Sequence, residues 1–286
     1  MIDSIQTVFS DALDSLPGSV SQIRECGQQL LQLAKQRNIA VIIIGHVTKE
    51  GVIAGPKMLE HMVDVVLYIE GDDRHDHRIL RSAKNRFGTS NEVGIFQMES
   101  NGLIEVKNPS ELFLAERRDD ISGSTIFPSL EGSRPILVEV QALVSNANFG
   151  TPQRNVNGFD FKRLAMLLAV LEKRLGILMG TKDVFVNLVG GLKIDDPAAD
   201  LAVITAVASS ARDKLLPKSV ILIGEVGLGG EVRSVSRLDT RINEAKSLGF
   251  KSVIAPTANV KRIKTQPKGI KISGVANVGE AFHLLF

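Results

Sequence analysis

Tryptophan is absent from this 286-residue chain, tyrosine occurs once, and aromatic residues make up only 5% of it. Single-strand-binding platforms built from rows of stacked rings are therefore not expected. The single cysteine, Cys26, excludes an intrachain disulfide and any multi-cysteine zinc site within these residues. It points to a reducing, cytoplasmic setting. No stretch approaches the ~18–20 uncharged apolar residues of a membrane span, and the purest run, Ile39 to Gly45, has the length of a strand. The opening Met1-Ile2-Asp3-Ser4 has no basic segment leading into an apolar one, which argues against a secretory leader. No G-x-x-x-x-G-K-[ST] phosphate loop occurs anywhere.

What is present fits an ordinary globular chain, 44% hydrophobic and 23% charged, long enough for two domains. Its net charge of +2 hides an asymmetry. Up to Arg117, 12 Lys and Arg face 16 Asp and Glu; from Arg118 onward, 22 face 16. An acidic first part joined to a basic second part points to a polyanion partner for one half, although a soluble surface would also account for it.

The first part reads as α/β. Ser19 precedes an apolar-periodic stretch, with Gln22 at capping-box spacing, and predicts a helix over 20–37 that Asn38 closes. Ile39 to Ile44 is apolar on both faces and predicts a central parallel strand covered on both sides. Val63–Ile69, Ile79–Ala83 and Val93–Met98 read as further strands. Asp3 follows the remnant of a strand, where α/β nucleotide enzymes hold a magnesium-bound water; taken alone it reads as a helix or turn cap. Gly45-His46-Val47-Thr48-Lys49-Glu50-Gly51, Gly55-Pro56-Lys57-Met58-Leu59-Glu60-His61 and Lys84-Asn85-Arg86-Phe87-Gly88 then follow successive strands. His61, His75 and His77 carry no metal expectation, because Arg74 and Arg78 flank the His75-Asp76-His77 turn and no third ligand has suitable spacing.

This order of motifs resembles the bacterial RadA/Sms family of RecA-like recombination ATPases, whose KNRFG signature is present in full. The resemblance implies a C-terminal portion of such a protein, behind a four-cysteine zinc finger and a phosphate loop that these residues lack. It implies ATP and Mg2+ as cofactors of the complete protein, with zinc only in the finger and no metal here beyond Asp3 acting on Mg2+ through water. Asp3 takes the place of the Walker B carboxylate, His46 that of a sensor of the γ-phosphate, and Lys84 and Arg86 those of a cationic finger offered to a neighbour's nucleotide. Lys49 and Lys57 lie on segments matching the DNA-facing loops, made mobile by glycines 45, 51 and 55, though lysines in such a loop can be merely solvated. The implied assembly is a hexameric ring acting on single-stranded and branched DNA beside a RecA-type recombinase, away from membranes, in branch migration during repair.

Asn108 to Asp120 is polar and reads as a linker, giving a partial RecA-like core over 1–107 and a second domain over 121–286. In the second domain Pro135–Val144, Val184–Val189, Ser219–Ile223, Glu231–Val235 and Ser252–Ala255 read as strands. Phe161–Leu175, Pro197–Leu215 with Asp196 as cap, and Arg237–Ser247 read as helices. The glycine run Gly224 to Gly230 leads into an alternating segment and not a helix, so it predicts a hairpin and not a dinucleotide loop. This half resembles the Lon-protease proteolytic domain, of the ribosomal-protein-S5-domain-2-like fold. The match lies in Asp195-Asp196-Pro197-Ala198-Ala199-Asp200, Gly224-Glu225 and Ser252-Val253-Ile254-Ala255-Pro256. Lon's G-P-S-A-G serine corresponds to Ala198 and its lysine base to Asp239, so the resemblance implies a degenerate site and no peptidase. Arg233, Arg237 and Arg241, then Lys261, Arg262 and Lys264, with Lys268 and Lys271 beyond, form a basic module. It is expected to contact DNA phosphates, to brace the ring, or simply to be a solvated face; a non-catalytic DNA-binding and oligomerisation scaffold is the alternative to the motor.

Overall fold

The computed structural model describes residues 1–46, 54–71, 76–90, 92–118, 120–147, 150–263, 265 and 267–286, without the side chains of 54–56. Two compact units emerge, one made of 1–70 and 79–92 and the other of 71–78 and 93–286. Among the described residues no helix is long and apolar enough to cross a membrane.

The first unit contains β1 (Ile2–Asp3), α1 (Val20–Arg37), β2 (Ile43–Ile44), α2 (Ala54–Met62), β3 (Val65–Gly71) and β4 (His77–Asn85). β1 and β2 pair in parallel, Ile2 with Ile43 and Asp3 with Ile44. The strand expected over 39–44 is thus shorter than its sequence suggests, and Ile39 and Ile42 are exposed. Among the described residues Ile43 packs against the core while Ile39 and Ile42 face solvent, so the two-faced burial that such a run calls for is not met here. The core beneath comprises Ile5, Ile23, Cys26 and Leu59, with Val8, Leu30, Ile43 and Met62 packed around it. α1 and α2 approach closely at Gly27, where a Cβ would come within 2.5 Å of a Leu59 methyl carbon.

α1 begins and ends as predicted, with the Ser19 hydroxyl accepting from Gln22 N and Asn38 closing it in the left-handed conformation. Gln22 does not complete a capping box. Its buried carboxamide accepts from Ser10 N (2.8 Å) and donates to the carbonyls of Ser10, Leu13 and Ser15 (2.9–3.1 Å), fastening the loop before the helix.

The second unit contains β5 (Val93–Glu99), β6 (Gly102–Glu105), α3 (Pro109–Leu114), β7 (Ser124–Glu131), β8 (Arg134–Asn146), β9 (Arg154–Asn157), α4 (Phe161–Leu175), β10 (Lys182–Leu188), α5 (Asp200–Arg212), β11 (Val220–Leu222), β12 (Glu225–Val226), β13 (Val232–Arg233), α6 (Leu238–Ser247), β14 (Ser252–Pro256), α7 (Thr257–Val260), β15 (Lys271–Val275) and α8 (Val278–Leu285). A seven-stranded mixed sheet runs β15-β14-β11-β7-β8-β10-β9. α5 crosses its centre, and every residue from Asp200 to Ser209 is buried, as a helix apolar on all sides requires. β12 and β13 form the antiparallel hairpin expected of the glycine run, with Gly230 at φ +84° in its turn.

The segment 108–120, read as a linker, carries α3. Ser110 and Phe113 are buried; the Ser110 hydroxyl donates to Glu244 Oε1 (2.7 Å) and accepts from Leu137 N (3.0 Å). That helix is therefore part of the second unit's packing.

Replacing Gln22 with Leu leaves a buried N–H and three carbonyls without their partner. The expected loss is about 1–3 kcal/mol in urea unfolding, with faster amide exchange at Ser10. Unchanged exchange there would contradict the fastening role.

Candidate functional site

Asp3 and His46 emerge together at the carboxyl ends of β1 and β2, with His46 Nε2 3.8 Å from Asp3 Oδ1. Both side chains are largely exposed, and Gln6 Nε2 donates to the His46 carbonyl at 2.9 Å. The parallel pairing explains this proximity. Two strands running the same way deliver a carboxylate and an imidazole to one edge, where a hard cation with its water, or a phosphate, could meet both.

α2 ends against the β3–β4 hairpin. Lys84 Nζ donates to the carbonyls of Glu60 (2.8 Å) and His61 (3.4 Å) in the last turn of α2, where backbone oxygens have no intrahelical partner. Arg86 follows with two bonds to Asp64, one from its backbone N–H to the carbonyl and one from Nη1 to Oδ1, both 3.0 Å. Tyr68 on β3 donates its hydroxyl to Glu60 Oε1. That bond, helped by burial, pushes the Tyr68 phenol up to about 12, so it remains a donor. Phe87, between the arginine and Gly88, is 82% exposed. Lys57 does not lie on a loop as expected. It belongs to α2, where the run from Ala54 to Met62 sustains a helix through Gly55 and Pro56, and it faces solvent. Lys49 and His75 lie outside the described residues.

In the second unit the positions similar to the Lon dyad hold a buried methyl and a carboxylate. Ala198 sits in a 3-10 turn, Pro197–Ala199, capped by Asp196, whose carboxylate accepts from Ala198 N at 3.0 Å. Asp239 occupies the first turn of α6 and is exposed. Arg241, expected on a DNA-binding surface, is instead fully buried. Its Nη2 donates to Asp196 Oδ2 (2.5 Å), Nη1 to the Pro128 carbonyl (2.5 Å) and Nε to the Ser236 carbonyl (3.2 Å). The guanidinium lies over the Phe127 ring, 5.5 Å from its centroid. The cause of the misplacement is helical phase: Arg241 falls on the face of α6 shared with Leu238, Ile242 and Ala245.

A second ion pair flanks the turn on its other side. Asp200, at the start of α5 and fully buried, accepts from Arg163 Nε (2.9 Å) and Nη2 and from Val226 N (2.9 Å). Burial pushes the Asp200 carboxyl up, and the guanidinium and the N–H pull it back. Sequence reading missed this pair. The signal was available: a carboxylate opening an otherwise apolar stretch, Leu201–Ala208, must find a partner when buried.

Of the remaining cations, Arg233 is engaged by Glu231 (2.5 Å) and lies 3.7 Å from Glu225. Arg237, Lys261 and Arg262 are exposed; Lys264 lies outside the described residues. The Asn259 carboxamide bonds both the N–H and the carbonyl of Val235 (2.8 and 2.9 Å), so the segments bearing Arg237 and Lys261 run side by side.

Residues 178–283 match the family model of the Lon protease (S16) C-terminal proteolytic domain. The chain is 55% identical over 281 residues to the DNA repair protein RadA of Bacillus subtilis (strain 168), covering 98% of this chain and 61% of that protein. It is 52% identical over 286 residues to the DNA repair protein RadA of Streptococcus pneumoniae (strain ATCC BAA-255 / R6), covering 100% of this chain and 68% of that protein. It thus spans about three fifths to two thirds of the length of the curated relatives it matches.

Substituting Met for Arg241 leaves the partly buried Asp196 without its cation and the Pro128 and Ser236 carbonyls without their donor. A loss of about 3 kcal/mol, the low end for a broken buried pair, is expected in denaturant unfolding of the second unit. Adding Asp196→Ala should recover much of it. A loss below about 1 kcal/mol, the range of a surface pair, would contradict the buried bridge.

Proposed function

This chain belongs to the DNA repair protein RadA family, and from that premise we propose that it is part of a RecA-like, DNA-dependent ATPase acting in DNA repair and recombination. The observation that carries the reading is the KNRFG turn: two cations and a largely exposed Phe87 at the end of a β-strand, next to the helix that bears Lys57. The complete protein works as a ring, in which Lys84 and Arg86 approach a nucleotide bound by the neighbouring subunit. Magnesium, when bound with ATP, would neutralise phosphate charge. Asp3 suits that ion as an exposed carboxylate able to hold one of its waters, and His46 beside it suits the sensing of a phosphate oxygen. Lys57 contacts DNA phosphates without reading sequence, as a lysine on a solvent-facing helix does. ATP turnover then drives branch migration along single-stranded DNA, in a reducing cytoplasm and beside a RecA-type recombinase.

The domain over 121–286 adds DNA affinity and braces the ring. It is not a peptidase, since a methyl at Ala198 cannot attack a carbonyl and Asp239 is no amine base. The adjoining cations Arg237, Lys261 and Arg262 are its DNA-facing group. Replacing these three by Ala should reduce the slope of log affinity against log salt for single strands by about two units. An unchanged slope would remove them from the interface.

The finger is tested in trans in the full-length protein. Lys84→Ala should lower ATP hydrolysis sharply, since a cation of this kind is worth about 10³–10⁵ in rate. Mixing this variant with one altered in the phosphate loop should restore partial turnover, because some interfaces then hold one intact copy of each part. A Lys84→Ala protein with parental ATPase and parental branch migration would overturn the assignment.

A further inference from the structure

Lys84 and Arg86 do not extend freely into solvent: both close on the exit of α2. The lysine covers two carbonyls of the helix's last turn, at Glu60 and His61, and the arginine holds Asp64 just beyond it. Tyr68 adds a third tie, from β3 to the Glu60 carboxylate. Every one of these bonds joins the β3–β4 hairpin to the same few residues, and the other end of that helix carries the exposed Lys57.

We propose that Lys84 and Arg86 are a latch shared between the α2 exit and the nucleotide, so that phosphate engagement releases the helix that presents Lys57 to DNA. The inference rests on the finger reading above and deepens it by stating how the finger reaches the DNA-facing helix. The ties have the right weakness. Lys84 is held by two uncharged carbonyls, and the Arg86–Asp64 pair is exposed on both sides, where water and salt screen it. A multiply charged phosphate competes readily for both cations. Leaving α2, the cations uncover the Glu60 and His61 carbonyls and free Asp64. The helix keeps its apolar seat, Leu59 against Gly27 of α1, and shifts on it. In reverse, DNA that fixes α2 sets where Lys84 and Arg86 stand. Coupling of this kind is reciprocal.

The test separates the latch from the finger by altering the partners of the cations and leaving the cations in place. In the full-length protein, Tyr68→Phe and Asp64→Asn should leave DNA-free ATP hydrolysis unchanged and reduce its stimulation by a single-stranded oligonucleotide at least about fivefold, the lower end of ordinary site–site coupling. Asp64→Glu, which keeps a carboxylate for Arg86, should restore most of the stimulation. Parental stimulation in both variants overturns the latch even if Lys84→Ala abolishes hydrolysis, and the finger reading then stands alone. Equal loss of DNA-free and DNA-stimulated hydrolysis also overturns it, since that is the mark of a merely structural role. Lys84→Ala with parental DNA-free hydrolysis overturns the finger, and the latch with it.

Discussion

The second unit depends on the burial of one guanidinium. Arg241 reaches three places at once: the Pro128 carbonyl on β7, the Ser236 carbonyl before its own helix, and the Asp196 carboxylate that caps the Pro197–Ala199 turn. Burial pushes this guanidinium down from its ordinary very high value, and Asp196 acts against that by favouring the charged form. With three donors used and Phe127 beneath the plane, the desolvated cation has the partners it needs. The sheet, the turn and α6 are fixed relative to one another at this point.

The first unit solves a different problem with smaller means. Its core is a handful of side chains around Ile5 and Ile23, and its polar ties sit where helices begin and end, Gln22 buried and Lys84 and Arg86 nearer to solvent. Gln22 ties down the loop before α1, and Lys84, Arg86 and Tyr68 tie down the end of α2. The ties of Lys84 and Arg86 lie near solvent and exchange readily with competing partners, whereas those of Gln22 are buried. The two units are thus anchored differently, by a buried guanidinium around Arg241 and by bonds nearer to solvent around Lys84.

Much of this was legible in the sequence wherever a local rule decides. The 20–37 helix came from Ser19 and Asn38, and the Phe161–Leu175 helix from its periodicity. The hairpin came from a glycine run that fails to start a helix. Other elements were readable but not read: Asn277 followed three residues on by Glu280 is a capping signature, and it opens α8. β7 was hidden by Pro128, a residue that argues against a central strand. The sheet accommodates it because β11 meets β7 only at Ile126, before the proline is reached. The site split along the same line. Asp3 and His46 were singled out through the family resemblance, and the parallel pairing of β1 and β2 brings them together. The fate of Arg241 turned instead on which face of α6 it occupies, and three neighbouring arginines look alike in a sequence.

The degenerate turn carries a further physical lesson. In the Lon motif G-P-S-A-G, to which Asp196-Pro197-Ala198-Ala199-Asp200 is similar, both ends are glycine and the middle is the nucleophile. Here both ends are aspartate, and each is paired with an arginine, Asp196 with the buried Arg241 and the buried Asp200 with the partly exposed Arg163. The change therefore involves more than a lost hydroxyl. An acyl-transfer site gathers donors around a developing negative charge, whereas this turn is bracketed by two carboxylates whose cations are already taken. A serine restored at Ala198 would sit between those carboxylates, with Asp239 in place of an amine. The same aspartates that stand at the ends of the motif supply the bonds that hold the turn, which is therefore fixed by ion pairs where the Lon motif has glycine.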